Sequence, residues 1–598
     1  MTGRFVVELD LARGIARSTP NLAMRYGCGV VARGYVANLA ELRDEARRAG
    51  FAPPLDDEAL FGFAFRRWGS ALQEHVLGEY AVAVFDESAR RLLFANDALG
   101  LVPGFFSSTA TALVAGSHLD DVVQAAGDRT IDEEYVADYL VLGRPTGART
   151  PYRCARRLEV GRSVEWACDR VRERETWTIT RTPTIHFASA ADYEERAREL
   201  LAEGVRAALR ADGPVWCEVS GGLDSSTVAS IAAASCGRAL PALSMVYGRS
   251  ASADETPWIR SVLERYDLPW HTVDVDAYPP FSELPEIAFP EPNAVMPVWP
   301  LHRAYAALVE QHGVEVVLTG HGGDLVFGGD SQQPHHLADP LLRLDVAGLA
   351  RGVAEWQRRS PLQRSAVHLL HANVVRPAIR HCLGKTLRDD GTPSWDVPGW
   401  IDPAFARRMD VSRRQHRRYA ARCSTVGQQY FWEGLVSTGS ASGTARDQLA
   451  QSFAYRNPLL YRPLVEFFFA IPPQQRLEPD LDRSLQRRAL AGILPERVRK
   501  RRGKRGAQEA YFEGLRRAHA WLDILRQRPL VVERGYVDER RWLETVEQAR
   551  FGRANTMRHF LVTATLECWL RQIEAEPSDT LTQHQGEHDE RQERVFQP

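Results

Sequence analysis

The chain has 598 residues, 44% of them hydrophobic and 25% charged, with a formal net charge of −2 at pH 7. That length exceeds one hydrophobic core, so two or more domains are expected, and the near-balanced charge gives no overall pull toward nucleic acid or an anionic membrane. Eight cysteines (Cys28, Cys154, Cys168, Cys217, Cys236, Cys382, Cys423 and Cys568) include no C-x-x-C pair, which argues against a zinc site or disulfide framework and for a reducing, cytoplasmic setting.

The first residues, MTGRFVVELDLARG, carry Glu8, Asp10 and Arg13 where a signal peptide needs an unbroken apolar core. No apolar run reaches the roughly 20 residues that cross a bilayer. Residues 1–185 read as β-rich, with short strands at 80–86 (YAVAVFD) and 91–97 (RLLFAND) around the turn ESAR. LAELRDEARRAG (39–50) reads as a helix closed by Gly50. Ser189 or Asp192 can cap a long amphipathic helix through about Ala208, and the domain boundary falls just before it, at 185/186.

From Val215 strand and helix alternate. Strands are expected at 215–219, 242–247, 271–275 and 314–320, with helices from about Leu223, at 256–266 and at 300–313. That pattern predicts a doubly wound parallel sheet, whose ligands bind beyond the carboxyl ends of its strands. Residues 335–450 read as mainly helical with basic polar faces, as in RRMDVSRRQHRRYAARC; a solvated surface is the plain reading and a peptide-binding surface the alternative. A buried closing helix is expected at 555–575, and the polar residues 577–598 are expected to be disordered.

Two glycine-rich segments fall at predicted strand ends. In EVSGGLDSS, Ser220, Gly221 and Gly222 precede a helix start, so backbone N–H groups and the helix dipole can form an anion nest, with Ser225 and Ser226 as further donors. A tight structural turn is the competing reading. Asp224 would repel phosphate and is better suited to magnesium bound to that phosphate. No Walker lysine is present: Gly384-Lys385-Thr386 has Ile379 where the first glycine belongs. The second segment, LTGHGGDLVFGG, places Asp324 in a similar setting.

Together these segments resemble the pyrophosphate loop and second glycine loop of the ATP pyrophosphatases related to asparagine synthetases. The downstream stretches QSFAYRNPLLYRPLVEFFFAIP, ILPERVRKRRGK and ATLECWLRQ are also similar, so the resemblance covers about 215–575. It implies a synthetase domain (186–576) of the adenine nucleotide alpha hydrolase-like, doubly wound class with a helical insert. ATP would bind at Val219, Ser220, Gly221, Gly222, Asp224, Ser225, Ser226, Tyr247, Thr319 and Gly320, with Mg²⁺ on Asp224 and Asp324 and with Lys504 neutralising pyrophosphate and the acyl intermediate. The implied reaction is carboxylate adenylation followed by amide formation.

Residues 1–185 resemble that family's Ntn-type glutaminase domain through LGEYAVAVFD, FANDALGLVPGFF and AGSHLDD, giving an overall α/β and α+β chain. Its chemistry is expected to be lost. The nucleophilic cysteine after Met1 is replaced by Thr2, the glutamine-holding NGE element by Arg33-Gly34-Tyr35, and no RGPD-like stretch occurs.

Three branches work without that cysteine: β-lactam synthetases, lasso-peptide macrolactam synthetases and ammonia-using asparagine synthetase relatives. His321 between the first two glycines of the second loop resembles the lasso cyclases, where asparagine synthetases carry glutamate and β-lactam synthetases tyrosine. Ala454 replaces the glutamate that β-lactam members pair with that tyrosine. The resemblance then implies a precursor peptide as substrate, whose N-terminal amine attacks an adenylated Asp or Glu side chain. A leader peptidase and a leader-recognition protein are candidate partners. His321 is the candidate base for the attacking amine; a backbone-bound loop histidine and an ATP-positioning donor are the alternatives.

Overall fold

The computed structural model describes residues 3–53, 56–144, 146–236, 240–248, 254–328, 334–359, 365–387, 397–414, 421–436, 452–503, 508–552 and 557–575. Thr2, Lys504 and the terminal stretch 577–598 lie outside them.

Two antiparallel sheets stack in the N-terminal part. The first runs Arg170–Glu175, Arg162–Ala167, Arg91–Asn96, Gly78–Asp86, Cys28–Val36, Ala23–Arg25; the second runs Ile15–Thr19, Val6–Asp10, Ala112–Gly116, Phe105–Ser108, Arg156–Arg157. The strand at 78–86 shows why its sequence is apolar throughout. Tyr80, Val82 and Val84 pack under the helices Leu39–Arg48 and Asp57–Trp68. Ala81, Ala83 and Phe85 meet Phe5, Val7, Leu9 and Phe106 from the other sheet. Side chains alternate with period two, so a strand buried on both faces needs apolar residues at every position. Helices Leu119–Ala126 and Glu133–Leu142 cover the far side, giving the α–β–β–α layers expected of an Ntn-type domain.

Helix Ala190–Ala208 follows. Ser189 accepts from the Asp192 N–H at 3.3 Å while Asp192 accepts from the Ser189 N–H at 2.9 Å, so the two expected caps act as one capping box. Five strands then form a sheet in the order Trp270–Asp274, Ala242–Val246, Val215–Glu218, Val316–Leu318, Ala454–Arg456, all parallel. Chain direction across the sheet reverses between Val215–Glu218 and Val316–Leu318, which makes the gap beyond their carboxyl ends the topological switch point. Trp216 and Val317 face one core; Cys217, Val316 and Leu318 face the other.

The described parts of 335–450 are helical at Val346–Arg359, Ala366–Leu369, Leu370–Val375, Arg376–Cys382 and Pro403–Arg408. Their surface is more than basic: Val367, Val375, Ile379 and Leu383 are exposed at four- and eight-residue steps along one helical row. Of RRQHRR (413–418), only Arg413 and Arg414 are described. The closing helix, Met557–Ala575, is buried from His559 through Leu570 except at the half-buried Leu561. None of the described helices is long and apolar enough to cross a membrane.

Candidate active site

The first loop leaves strand Val215–Glu218 at Val219, which is pinned by its N–H to Leu243 O (2.9 Å) and by the Ser244 hydroxyl on its carbonyl (2.6 Å). Gly221 has φ +69°, where a Cβ would stand 3.0 Å from Trp258 Cβ, so both conformation and space require glycine. Helix Leu223–Cys236 begins directly. Its first ladder bond is Ser226 N–H to Gly222 O at 3.1 Å, and the N–H groups before it have no partner within the helix. Ser225 Oγ accepts from the Ser220 N–H and meets Ser220 Oγ, both at 3.1 Å.

The second loop packs onto that helix start. A Cβ on Gly320 would lie 2.7 Å from the Asp224 carbonyl carbon, and one on Gly323 would lie 2.6 Å from Asp224 Oδ1. The two glycines thus let the loops touch. Asp324, exposed in the first turn of Gly323–Phe327, comes close enough for its charge to act on Asp224. Burial pushes the Asp224 carboxyl up to about 6; Arg483 and Gln486 oppose the shift, and Asp324 and Asp482 add to it. Arg483 Nη1 stands 3.2 Å from Asp224 Oδ2, and Gln486 donates to Oδ1 at 3.1 Å.

A buried carboxylate whose proton affinity is raised by burial and by the charge of a second carboxylate fits a divalent cation, which would relieve the repulsion. Among the described residues no group of three or more His, Cys, Asp or Glu could hold a metal. The pair therefore suits Mg²⁺ completed by phosphate oxygens rather than an all-protein site. Gly323→Ala forces a methyl against Asp224, an overpacking that costs about 1–3 kcal/mol. It is expected to raise the ATP KM with the fold intact; ATP kinetics equal to wild type would show that this contact does not matter.

Not every expected residue reaches the loop. Ser226 is fully buried on the inner side of its helix, so its hydroxyl is not presented to a ligand. The reason is helical geometry: Ser225 and Ser226 are adjacent and lie on different faces. Tyr247 follows strand Ala242–Val246 and is half-buried against the sheet. Lys504 lies outside the described residues, but Arg501 is fixed at the first loop: it donates to Gly221 O at 2.9 Å, pairs with Glu255 at 2.6 Å and stacks 4.2 Å from the Trp258 ring centroid. Arg483, Gln486 and Asn457 were missed by sequence reasoning, since charged and amide side chains carry no local sign of a distant partner.

Thr319 accepts from the His321 N–H at 3.1 Å and donates to Asn457 Oδ1 at 2.9 Å. His321 lines an apolar pocket with Leu99, Leu101 and Val160 of the N-terminal part and Leu325, Trp432, Leu435, Val436 and Leu460. Val160, Trp432 and Val436 also wall a neighbouring cavity of about 270 Å³ that includes Arg144, Arg157 and Arg162. In the Arg33-Gly34-Tyr35 element, Tyr35 is buried, hydrogen-bonded to Glu79 (3.4 Å) and covered by Arg456, 4.3 Å from its ring centroid. The tyrosine packs into the contact between the two parts of the chain.

Comparison with known proteins agrees with this geometry. Residues 196–571 match the family model described as asparagine synthase, and residues 16–177 match that of the glutamine amidotransferase domain. A putative glutamine-hydrolysing asparagine synthetase of Mycobacterium tuberculosis (strain ATCC 25618 / H37Rv) is 30% identical over 417 residues, 65% of this chain and 62% of that protein. The match thus spans less than two thirds of the mycobacterial protein's length. Glutamine-hydrolysing asparagine synthetase 3 of Bacillus subtilis (strain 168) is 23% identical over 522 residues, covering 83% of this chain and 78% of that one. Amidase chry2 of Gibberella zeae is 23% identical over 346 residues, 50% of this chain and 46% of its own.

Proposed function

The chain belongs to the asparagine synthase family, and from that premise we propose that it is an ATP-dependent, AMP-forming amide ligase that closes a macrolactam in a precursor peptide, as lasso-peptide cyclases do. A side-chain carboxylate oxygen of Asp or Glu attacks the α-phosphorus of ATP, and the bond to pyrophosphate breaks. The peptide's amine nitrogen then attacks the acyl carbon, the bond to AMP breaks, and the amine gives up a proton. Magnesium on Asp224 and Asp324 would supply charge neutralisation for the triphosphate and the departing pyrophosphate. The nest at Ser220–Asp224 receives phosphate oxygens, Arg501 keeps Gly221 in place, and Lys504 meets charge that develops in the transition state.

The observation that supports a peptide over free aspartate is the wall beside His321. Its other residues are Leu, Val and Trp; apart from the indole N–H of Trp432 they offer no partner to an amino acid's ammonium or α-carboxylate, and burying either unpaired is costly. An apolar peptide surface suits contact with that wall, whose cavity of about 20 Å³ is too small to enclose a side chain. The exposed row Val367, Val375, Ile379 and Leu383 supports the same reading for the helical insert, as a contact surface for peptide or a leader-recognition partner. A second reading, asparagine formation, is favoured by the names of the relatives, both glutamine-hydrolysing asparagine synthetases; with the glutaminase lost, its amine would be ammonia.

One assay separates them. With ATP and Mg²⁺, AMP release that requires a precursor peptide, together with loss of one water from the peptide mass, is expected; AMP release on aspartate and ammonia alone would establish the second reading. We also propose that the N-terminal part no longer hydrolyses glutamine. Thr2→Ala is then expected to leave cyclisation unchanged, and glutamine added to the wild type to release no ammonia. Ammonia release that disappears in Thr2→Ala would show a working glutaminase.

A further inference from the structure

If residues 1–185 no longer supply ammonia, something else must account for how intimately they join the synthetase loops. Glu79, on strand Gly78–Asp86, is buried and turns both carboxylate oxygens toward the other part of the chain. Oε1 accepts from the backbone N–H of Asn457 at 2.7 Å, and Oε2 accepts from the Asn457 side-chain amide at 2.9 Å. Asn457 Oδ1 accepts from the Thr319 hydroxyl at 2.9 Å, and Thr319 Oγ1 accepts from the His321 N–H at 3.1 Å. The Thr319 N–H itself goes to Arg456 O at 3.0 Å.

The direction of each bond follows from the one before it. An ionised carboxylate only accepts, so it turns the NH₂ of Asn457 toward itself and the carbonyl oxygen toward Thr319. The Thr319 proton is thereby committed to Asn457, and its oxygen is left to accept from His321. Remove the acceptor at Glu79, and nothing tells the Asn457 amide which way to face.

We propose that Glu79 is a positioning residue for the second glycine loop, holding His321 in register through Asn457 and Thr319, and that this is one use the N-terminal part retains. The kinetic consequence rests on the function proposed above. A loop displaced by an ångström can cost about 10²-fold in rate even when the altered residue is far from the chemistry.

The relay also carries a pH dependence. Burial pushes Glu79 up to about 7; the two hydrogen bonds from Asn457 and the charge of Arg456 oppose the shift, and Asp97 reinforces it. Tyr35 faces Glu79 as well, with Arg210 and Arg456 around it. A protonated Oε2 donates where it had accepted from the Asn457 amide, so the relay reverses and the loop loosens as pH falls through about 7.

The test compares Glu79→Ala, the isosteric Glu79→Gln and Thr319→Val for kcat and ATP KM of AMP release across neutral pH, beside their thermal midpoints. Glu79→Ala is expected to lower kcat by about 10- to 100-fold. Glu79→Gln, which keeps the volume and hence the fold, is expected to lose the acid limb near neutrality. It should also be non-additive with Thr319→Val, because both break one relay. Wild-type kcat with an unmoved acid limb in Glu79→Gln overturns the inference, as do effects of Glu79→Gln and Thr319→Val that simply multiply. A wild type that releases no AMP with any precursor peptide overturns the proposed function instead. The inference is then read from the protection that Mg²⁺ and ATP give against thermal unfolding, expected to be smaller in Glu79→Gln and contradicted if it is equal.

Discussion

Asp224→Ala and Asp324→Ala are each expected to stop conversion of ATP to AMP, by at least about 10³-fold, with the chain still folded. The magnitude follows from what the carboxylates do: removing a single preorganised electrostatic contact at a reacting group costs about 10²–10³, and a metal ligand serves both the triphosphate and the leaving group. The fold should survive because Asp224 is not a stabilising carboxylate. Its folded-state pKa is raised from 3.8 to about 6. The folded chain therefore holds more protons than the unfolded one between those values, and stability falls as pH rises through that window. At neutral pH the ionised group is a cost, and alanine removes it, at the loss of a partner for Arg483. AMP release measured by chromatography, with the thermal midpoint alongside, checks both halves. Near-normal AMP production from either variant would remove the magnesium assignment.

His321→Ala is expected to slow amide formation by about 10²- to 10⁴-fold, the usual range for general acid–base catalysis, while precursor-dependent pyrophosphate release continues. An α-amino group has a pKa near 8 and is mostly protonated at neutral pH, whereas an unperturbed histidine, near 6.5, is available to take its proton. On the proposed function this base would sit on a loop whose backbone is held through Thr319 and which lines the apolar pocket at His321. The two steps separate the roles. A histidine that positioned ATP would slow adenylation too, so pyrophosphate exchange that falls as far as cyclisation excludes the base. A cyclisation loss well under tenfold excludes it as well.

His321→Ala and Glu79→Gln are informative together. The first removes the side chain and leaves the relay to the backbone intact; the second leaves the side chain and disturbs the relay. If Glu79 acts through loop position, its loss should touch both adenylation and ring closure, because Gly320 and Gly323 of the same loop pack on Asp224. If His321 is the base, its loss should touch ring closure alone.

Much of this site was legible in the sequence because its information is local. A nest needs small residues between a strand end and a helix start, so EVSGGLDSS and LTGHGGD announce themselves, and the helix at Leu223 begins where the glycines stop. The parallel sheet followed from strand and helix alternating, and helix Thr256–Tyr266 has the bounds its pattern predicted. Ser226 is turned into the core because adjacent helix positions point in different directions, and which of the two serines faces the loop is set by how the helix packs.

What tertiary structure alone decided are the contacts made at long sequence separation. Arg483 and Gln486 meet Asp224 across about 260 residues, and Glu79 meets Asn457 across 378. Neither pair leaves a local trace, because a buried carboxylate needs donors from any element that reaches it, and only the packing of elements determines which one does. Composition and spacing could name the two loops and the acids within them. That Gly323 has no side chain because Asp224 occupies the space, and that a strand of the N-terminal part sets the hydrogen bonds behind His321, became visible only when the two sheets were placed side by side.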